Sequence, residues 1–204
     1  MTQGKRILRV LSRPSSELYE MKCAGVWPIL PSALILLFWY GATVLTALNT
    51  NFKFNYNHLS EVNVLYLLAS TVGLFLLWTL VNWAVTTLLD GKGRMREIFV
   101  ASSYALIPYV AALLVCVALS YLLTMEEGAF LTVVRAVGLI YSAFVFLAAM
   151  SAVHDYSFGK TVLCVLLSAA GIVFILFLLV LFFGLLQQVT LFIETIYMEL
   201  QLRG

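Results

Sequence analysis

From Val173 to Phe183 every residue of this chain is apolar, and four other stretches are nearly as continuous. Peptide N–H and C=O groups cannot enter hydrocarbon unpaired, so runs of about 20 apolar residues form helices that close their own hydrogen bonds. Charges and polar loops cut the chain into five such runs: Ala24 to Leu48, Val62 to Leu89, the stretch from just after Arg96-Glu97 to Thr124, Ala129 to Val153, and Thr161 to Leu186. A barrel needs segments of about ten residues that alternate apolar and polar, and none of these runs alternates. The fold class read from the pattern is all-α: a polytopic membrane protein with a bundle of five transmembrane helices and short flanking interfacial helices.

Composition excludes the alternatives. Of the 204 residues 63% are apolar and 11% charged, against about 45–50% and about 25% in soluble domains. The net charge of +2 is too small, and the basic residues too dispersed, for a nucleic-acid binder. Cys23, Cys116 and Cys164 stand far apart and form no CxxC pair, so neither a disulfide framework nor a metal site is expected.

Lysine and arginine set the expected orientation. Lys5, Arg6, Arg9, Arg13 and Lys22 precede the first run, Lys92, Arg94 and Arg96 lie between the second and third, and Lys160 lies before the fifth. These positions share one face, which is therefore expected to be cytoplasmic together with the amino terminus; the carboxyl terminus is expected outside. The first run lacks a convincing cleavage site and is expected to remain as an anchor. Residues 1–23 read as a basic amphipathic segment, either a helix on an anionic leaflet or a frayed tail, residues 24–187 as the five-span unit, and residues 188–204 as an external amphipathic helix carrying Val189, Phe192, Ile193, Ile196 and Leu200 at helical spacing.

Ionisable groups inside the spans are the usual pointer to transport or catalysis, and this chain has few. Arg135 stands about six residues into the fourth run, where it can snorkel outward, pair with Glu126, Glu127 or Glu61, or meet a substrate anion. His154 and Asp155 are adjacent, but neighbours on a helix point in different directions and no nucleophile or zinc motif accompanies them. They read as a polar loop at a helix end. Asn82, Tyr104, Ser120, Ser142 and Ser151 read as interhelical hydrogen-bonding groups, Gly138 and Ser142 as a small-xxx-small contact, and Pro108 as a kink in the third run.

The most individual stretch is Asp90-Gly91-Lys92-Gly93-Arg94-Met95-Arg96-Glu97, followed by Tyr104-Ala105-Leu106-Ile107-Pro108-Tyr109. A glycine-bounded basic loop before a Tyr-Ala-Leu-x-Pro core in the third of five spans resembles the Yip-domain family, named for interaction with Ypt/Rab GTPases in eukaryotic secretory membranes. His154-Asp155-Tyr156-Ser157 and the opening Pro14-Ser15-Ser16-Glu17-Leu18-Tyr19-Glu20 extend the resemblance, the latter toward bacterial members. Eukaryotic members carry Asp-Leu-Tyr-Gly-Pro near the first span, whereas here Glu20-Met21 follows Tyr19. The resemblance implies a non-enzymatic protein of the bacterial cytoplasmic membrane with no cofactor and no catalytic residues to transfer. Gly91, Gly93, Tyr104 and Pro108 then serve the fold, and Lys92, Arg94 and Arg96 meet an acidic partner or anionic lipid. The expected role is a scaffold that binds the bilayer, another membrane or membrane-associated protein, or a second copy of itself. The competing reading is a transporter or the membrane subunit of a transport complex. An intramembrane enzyme lacks a credible nucleophile–base or metal set.

Overall fold

The computed structural model describes residues 3–55 and 62–203. Two short helices, α1 (Gln3–Ser12) and α2 (Pro14–Cys23), precede α3 (Ile29–Asn49). Next, α4 (Val64–Leu68) passes through a π-helical turn (Ala69–Gly73) into α5 (Leu74–Leu88). One interrupted rod consists of α6 (Met95–Ala105) and α7 (Ile107–Ser120), and α8 (Ala129–His154) and α9 (Phe158–Arg203) follow. Five segments are long and apolar enough to cross a membrane: Ile29–Asn49, Val64–Leu88, Met95–Ser120, Met125–His154 and Phe158–Glu199. The all-α bundle expected from the apolar runs is the fold observed, with no strand among the described residues.

Local chemistry places the helix ends. Asn63 Oδ1 accepts the Tyr66 N–H at 3.1 Å and starts α4. The Arg94 N–H donates to Glu97 Oε2 at 3.1 Å and starts α6. Asp155, at φ 55°, ends α8 in the left-handed conformation that aspartate tolerates better than most residues. The third span breaks at Leu106, two residues ahead of Pro108, which supplies no N–H and lies in the first turn of α7. The π-helical turn has no counterpart in the sequence reading. Thr71 Oγ1 donates to the Leu67 carbonyl there at 2.6 Å.

In lipid, apolar side chains gain little by exchanging acyl chains for one another, so close contact and interhelical hydrogen bonds hold the bundle. Along the α7–α8 seam, Gly138 lies so close to Ala112 that there is no room for a Cβ. One turn on, the Ser142 hydroxyl donates to the Ala105 carbonyl at the break between α6 and α7. The Gly138–Ser142 pair thus sits at a close contact between α7 and α8. The core surrounds α6, which is buried from Val100 through Ala105, with Tyr104 fully enclosed among Val10, Leu18, Ile98, Val145 and Ala149.

Rather than lying alone on a leaflet or fraying, α1 and α2 fold onto this core. Val10 is fully buried, α2 turns Pro14, Leu18 and Met21 inward, and the Tyr141 hydroxyl donates to the Leu11 carbonyl at 2.5 Å. The reason is the apolar face formed by Ile7, Val10, Leu18 and Met21, which finds a ready groove in the bundle. The other terminus behaves oppositely. No break separates the fifth span from the segment after it: α9 is one helix of 46 residues, about 69 Å long at 1.5 Å per residue. Through Thr161, Cys164, Ser168 and Gly171 it packs on the bundle, whereas residues 176–199 are exposed throughout.

Candidate functional site

The Asp90–Arg94 loop and the Asp155–Ser157 loop meet at the end of the bundle where α2 also finishes. Lys22, the penultimate residue of α2, reaches the end of α8, donating to the Val153 carbonyl at 2.8 Å and pairing with Asp155 Oδ2 at 2.9 Å. A cation over the last carbonyls of a helix satisfies acceptors that have no intrahelical donor and opposes the negative end of the dipole. Lys92 pairs with the same Asp155 oxygen at 3.4 Å. Asp155 therefore ties the amino-terminal segment, the glycine loop and α8 together, and the hydrogen bond from Lys22 holds its carboxyl below the ordinary aspartate range.

Under this clasp lies a buried polar chain. His154 Nε2 lies 3.2 Å from Asn82 Oδ1, Asn82 Nδ2 donates to Ser168 Oγ at 3.0 Å, and Ser168 donates to the Cys164 carbonyl at 2.8 Å. The imidazole stacks on Tyr156 with 5.4 Å between centroids. Tyr156 in turn donates to the Leu89 carbonyl at 2.9 Å and carries Lys160 over its ring. Gly91 and Gly93 are required here by proximity. A Cβ at position 91 would lie 2.7 Å from the Tyr156 hydroxyl, and one at position 93 would lie 2.5 Å from Val153 Cγ1 and 2.7 Å from His154 Nδ1.

The cluster is built to hold helices together. Its Tyr156 hydroxyl is pushed up to about 12 by burial and stays protonated near neutrality. Asp155 stays ionised. Among the described residues no group of three His, Cys, Asp or Glu side chains is arranged to hold a metal. Replacing Lys22 by methionine is expected to cost about 1–3 kcal/mol, the range for a charge-assisted hydrogen bond to a helix end. A carboxyl whose pKa is lower folded than unfolded stabilises above its unfolded pKa of about 3.9 and ceases to do so as pH falls through the folded value. Asp155→Asn should therefore flatten the acid limb of a detergent-unfolding profile; an acid limb identical to that of the native chain contradicts the assignment.

The three loop cations separate. Lys92 is engaged by Asp155, and Arg96 donates to the Trp27 carbonyl at 2.6 Å, tying α6 to the entry of α3. Arg94 is exposed and, among the described residues, has no carboxylate within ion-pair distance. Lys22 and the Asn82–His154–Ser168 chain were not singled out as a unit from the sequence. Asn82 and Thr86, one turn apart in an otherwise apolar run, with Ser168 in another, are the signal that marks them.

Arg135 belongs to the opposite end. Among the described residues it has no carboxylate partner; it donates to the Tyr109 hydroxyl at 3.4 Å, and Glu61 lies outside the described residues. Its guanidinium borders a cavity of about 800 Å³ between α3, α7 and the start of α8, whose polar wall includes Thr43, Thr46, Thr50, Lys53 and Tyr109.

No curated protein and no solved structure matches the chain. The Yip1 domain matches residues 8–197, which takes in the second half of α1, both loops of the clasp and the greater part of α9. With its five apolar helices and this match over nearly its whole length, the chain is a membrane protein belonging to the Yip1 domain family.

Proposed function

We propose that the protein is a non-enzymatic scaffold of a bacterial cytoplasmic membrane, with its amino terminus in the cytoplasm, and that it self-associates through the distal half of α9. The observation that carries this reading is the unbroken exposure of residues 176–199. Hydrocarbon about 30 Å thick covers about 20 helical residues, or about 25 with tilt, so a helix beginning at Phe158 leaves the lipid by about Phe182. Beyond that point Val189, Phe192, Ile193, Ile196 and Tyr197 are still exposed. Such a surface in water calls for a protein cover.

A second copy is the occupant that the spacing favours. Phe182, Leu186, Val189, Ile193, Ile196 and Leu200 follow one another at intervals of four and three residues, the seam of a two-stranded coiled coil. Copies inserted the same way present α9 in parallel and at equal depth, so identical seams meet in register. In reconstituted discs the full chain is expected to have the mass of a dimer or higher oligomer, and Ile193→Glu should shift it to one copy. A native chain that stays single at every protein-to-lipid ratio would remove this reading.

The amino-terminal end supports the scaffold role more modestly. Arg94 alone of the loop trio remains free among the described residues to meet an acidic headgroup or protein, and Lys92 and Arg96 add positive field while engaged elsewhere. Labelling of a cysteine at position 94 by an impermeant reagent from outside the cell would reverse the orientation.

One observation favours transport instead, the cavity beside Arg135. Next along the third and fourth spans from the cavity, Tyr104, Ser142 and Val145 are buried in the packed core. Solute flux in proteoliposomes that Arg135→Leu abolishes would promote the transport reading.

A further inference from the structure

The cavity between α3, α7 and α8 has the chemistry of a binding site that the scaffold role does not use. Its volume of about 800 Å³ lies within the range of ligand pockets. From Thr50 near the loop to Thr43 it extends about 10 Å along α3, at 1.5 Å per residue. Among the described residues on its wall, the two charged side chains, Lys53 and Arg135, are both cations. Arg135 stands six residues, about 9 Å, beyond Ala129 on α8 and has no carboxylate partner among the described residues, so an anion in the cavity would complement its guanidinium.

The donors are few and well defined. Thr43, Thr46 and Thr50 direct their protons to the carbonyls four residues back on α3. Asn55 Nδ2 donates to the Ala47 carbonyl. The Arg135 guanidinium, the Lys53 ammonium and the Tyr109 hydroxyl, which accepts from Arg135, are left to face an incoming group. Arginine offers a planar fork matched to phosphate, lysine a point charge, and tyrosine a neutral donor. Apart from Thr132, the rest of the described wall is largely apolar, with Leu67, Leu113 and Leu131 beside the cations. Charge and grease side by side fit an anionic head joined to hydrocarbon or to a small polyol.

We infer that this cavity binds a phosphate monoester or diester, with Arg135 and Lys53 as its charge contacts and Tyr109 orienting the guanidinium. A lipid headgroup and a soluble phosphate ester share that chemistry, and the experiment separates them. The full chain is placed in phosphatidylcholine discs and its thermal unfolding followed while phosphatidylglycerol replaces part of the lipid, or while glycerol phosphate is added to the solution. A saturable rise in midpoint is expected in at least one series. A rise with phosphatidylglycerol alone assigns a lipid headgroup; a rise with glycerol phosphate as well assigns a soluble ester.

Lys53→Gln and Arg135→Gln should each weaken the apparent affinity about tenfold, the loss expected for one charge-assisted contact. Should Arg135→Gln fail to fold, Lys53→Gln and the charge-preserving Arg135→Lys, with a smaller loss, supply the same reading. Two results overturn the inference: no saturable rise in either series, or Arg94→Gln at the opposite end weakening the effect as much as Lys53→Gln, which would mark general surface charge.

Discussion

Alanine at position 138 is expected to force α8 away from α7 and to cost about 1–3 kcal/mol, the usual penalty for overpacking a tight contact. The Cβ of such a residue would collide with the Cβ of Ala112, while the next neighbours, the Pro108 carbonyl oxygen at 3.3 Å and Ala112 Cα at 3.7 Å, are near ordinary contact. This asymmetry makes the prediction reciprocal. Ala112→Gly in the same chain should recover most of the loss, because it removes the atom that clashes. Unfolding in mixed micelles reads both variants, and a double variant no more stable than Gly138→Ala alone would show that the seam is held elsewhere.

Gly93→Ala should have an effect of similar size at the other end of the molecule. Its Cβ would lie 2.5 Å from Val153 Cγ1 and 2.6 Å from His154 Cε1. Neither neighbour can easily retreat: Val153 is fully buried, and His154 is held by Asn82 and stacked on Tyr156. The loop must therefore lift, taking Lys92 away from Asp155, at a cost of about 1–3 kcal/mol. Gly41→Ala in α3 is the matched control, since a Cβ there meets nothing within 4 Å and alanine is the better helix former. Equal stability losses at positions 41 and 93 would remove the proximity argument.

These two glycines show what a sequence reading reaches and where it stops. Gly138-xxx-Ser142 is legible as a close contact because small residues at that spacing have one common use in lipid, but its partner, the Ala105–Ala112 stretch around Pro108, depends on how the spans are arranged. Gly91 and Gly93 are conspicuous in the sequence, yet they look like turn residues; only the position of His154 beneath them shows that space is what they supply. The helices themselves follow from apolar run length, since hydrocarbon permits little else.

The basic trio is less legible. Lys92, Arg94 and Arg96 form one local cluster, and charge alone gives them one role. Packing divides them among Asp155, a backbone carbonyl and the surface, and enlists Lys22 from about 70 positions earlier. The amino-terminal segment illustrates the same limit. Its amphipathic pattern is equally suited to a lipid leaflet and to a groove in the bundle, and the burial of Val10 and Leu18 decides for the groove. In α9 the apolar pattern continues past any bilayer boundary, and nothing local marks position 187 or 188 as an end.

The self-association reading rests on which face of α9 meets its copy, and cysteine crosslinking in native membranes tests that face directly. In a chain whose Cys23, Cys116 and Cys164 are replaced, single cysteines at Val189, Ile193 and Ile196 are expected to form dimers on mild oxidation, while those at Gln188 and Thr195, on the other side of the helix, should remain monomeric. Dimers formed equally from all five positions, or from none, would contradict the account.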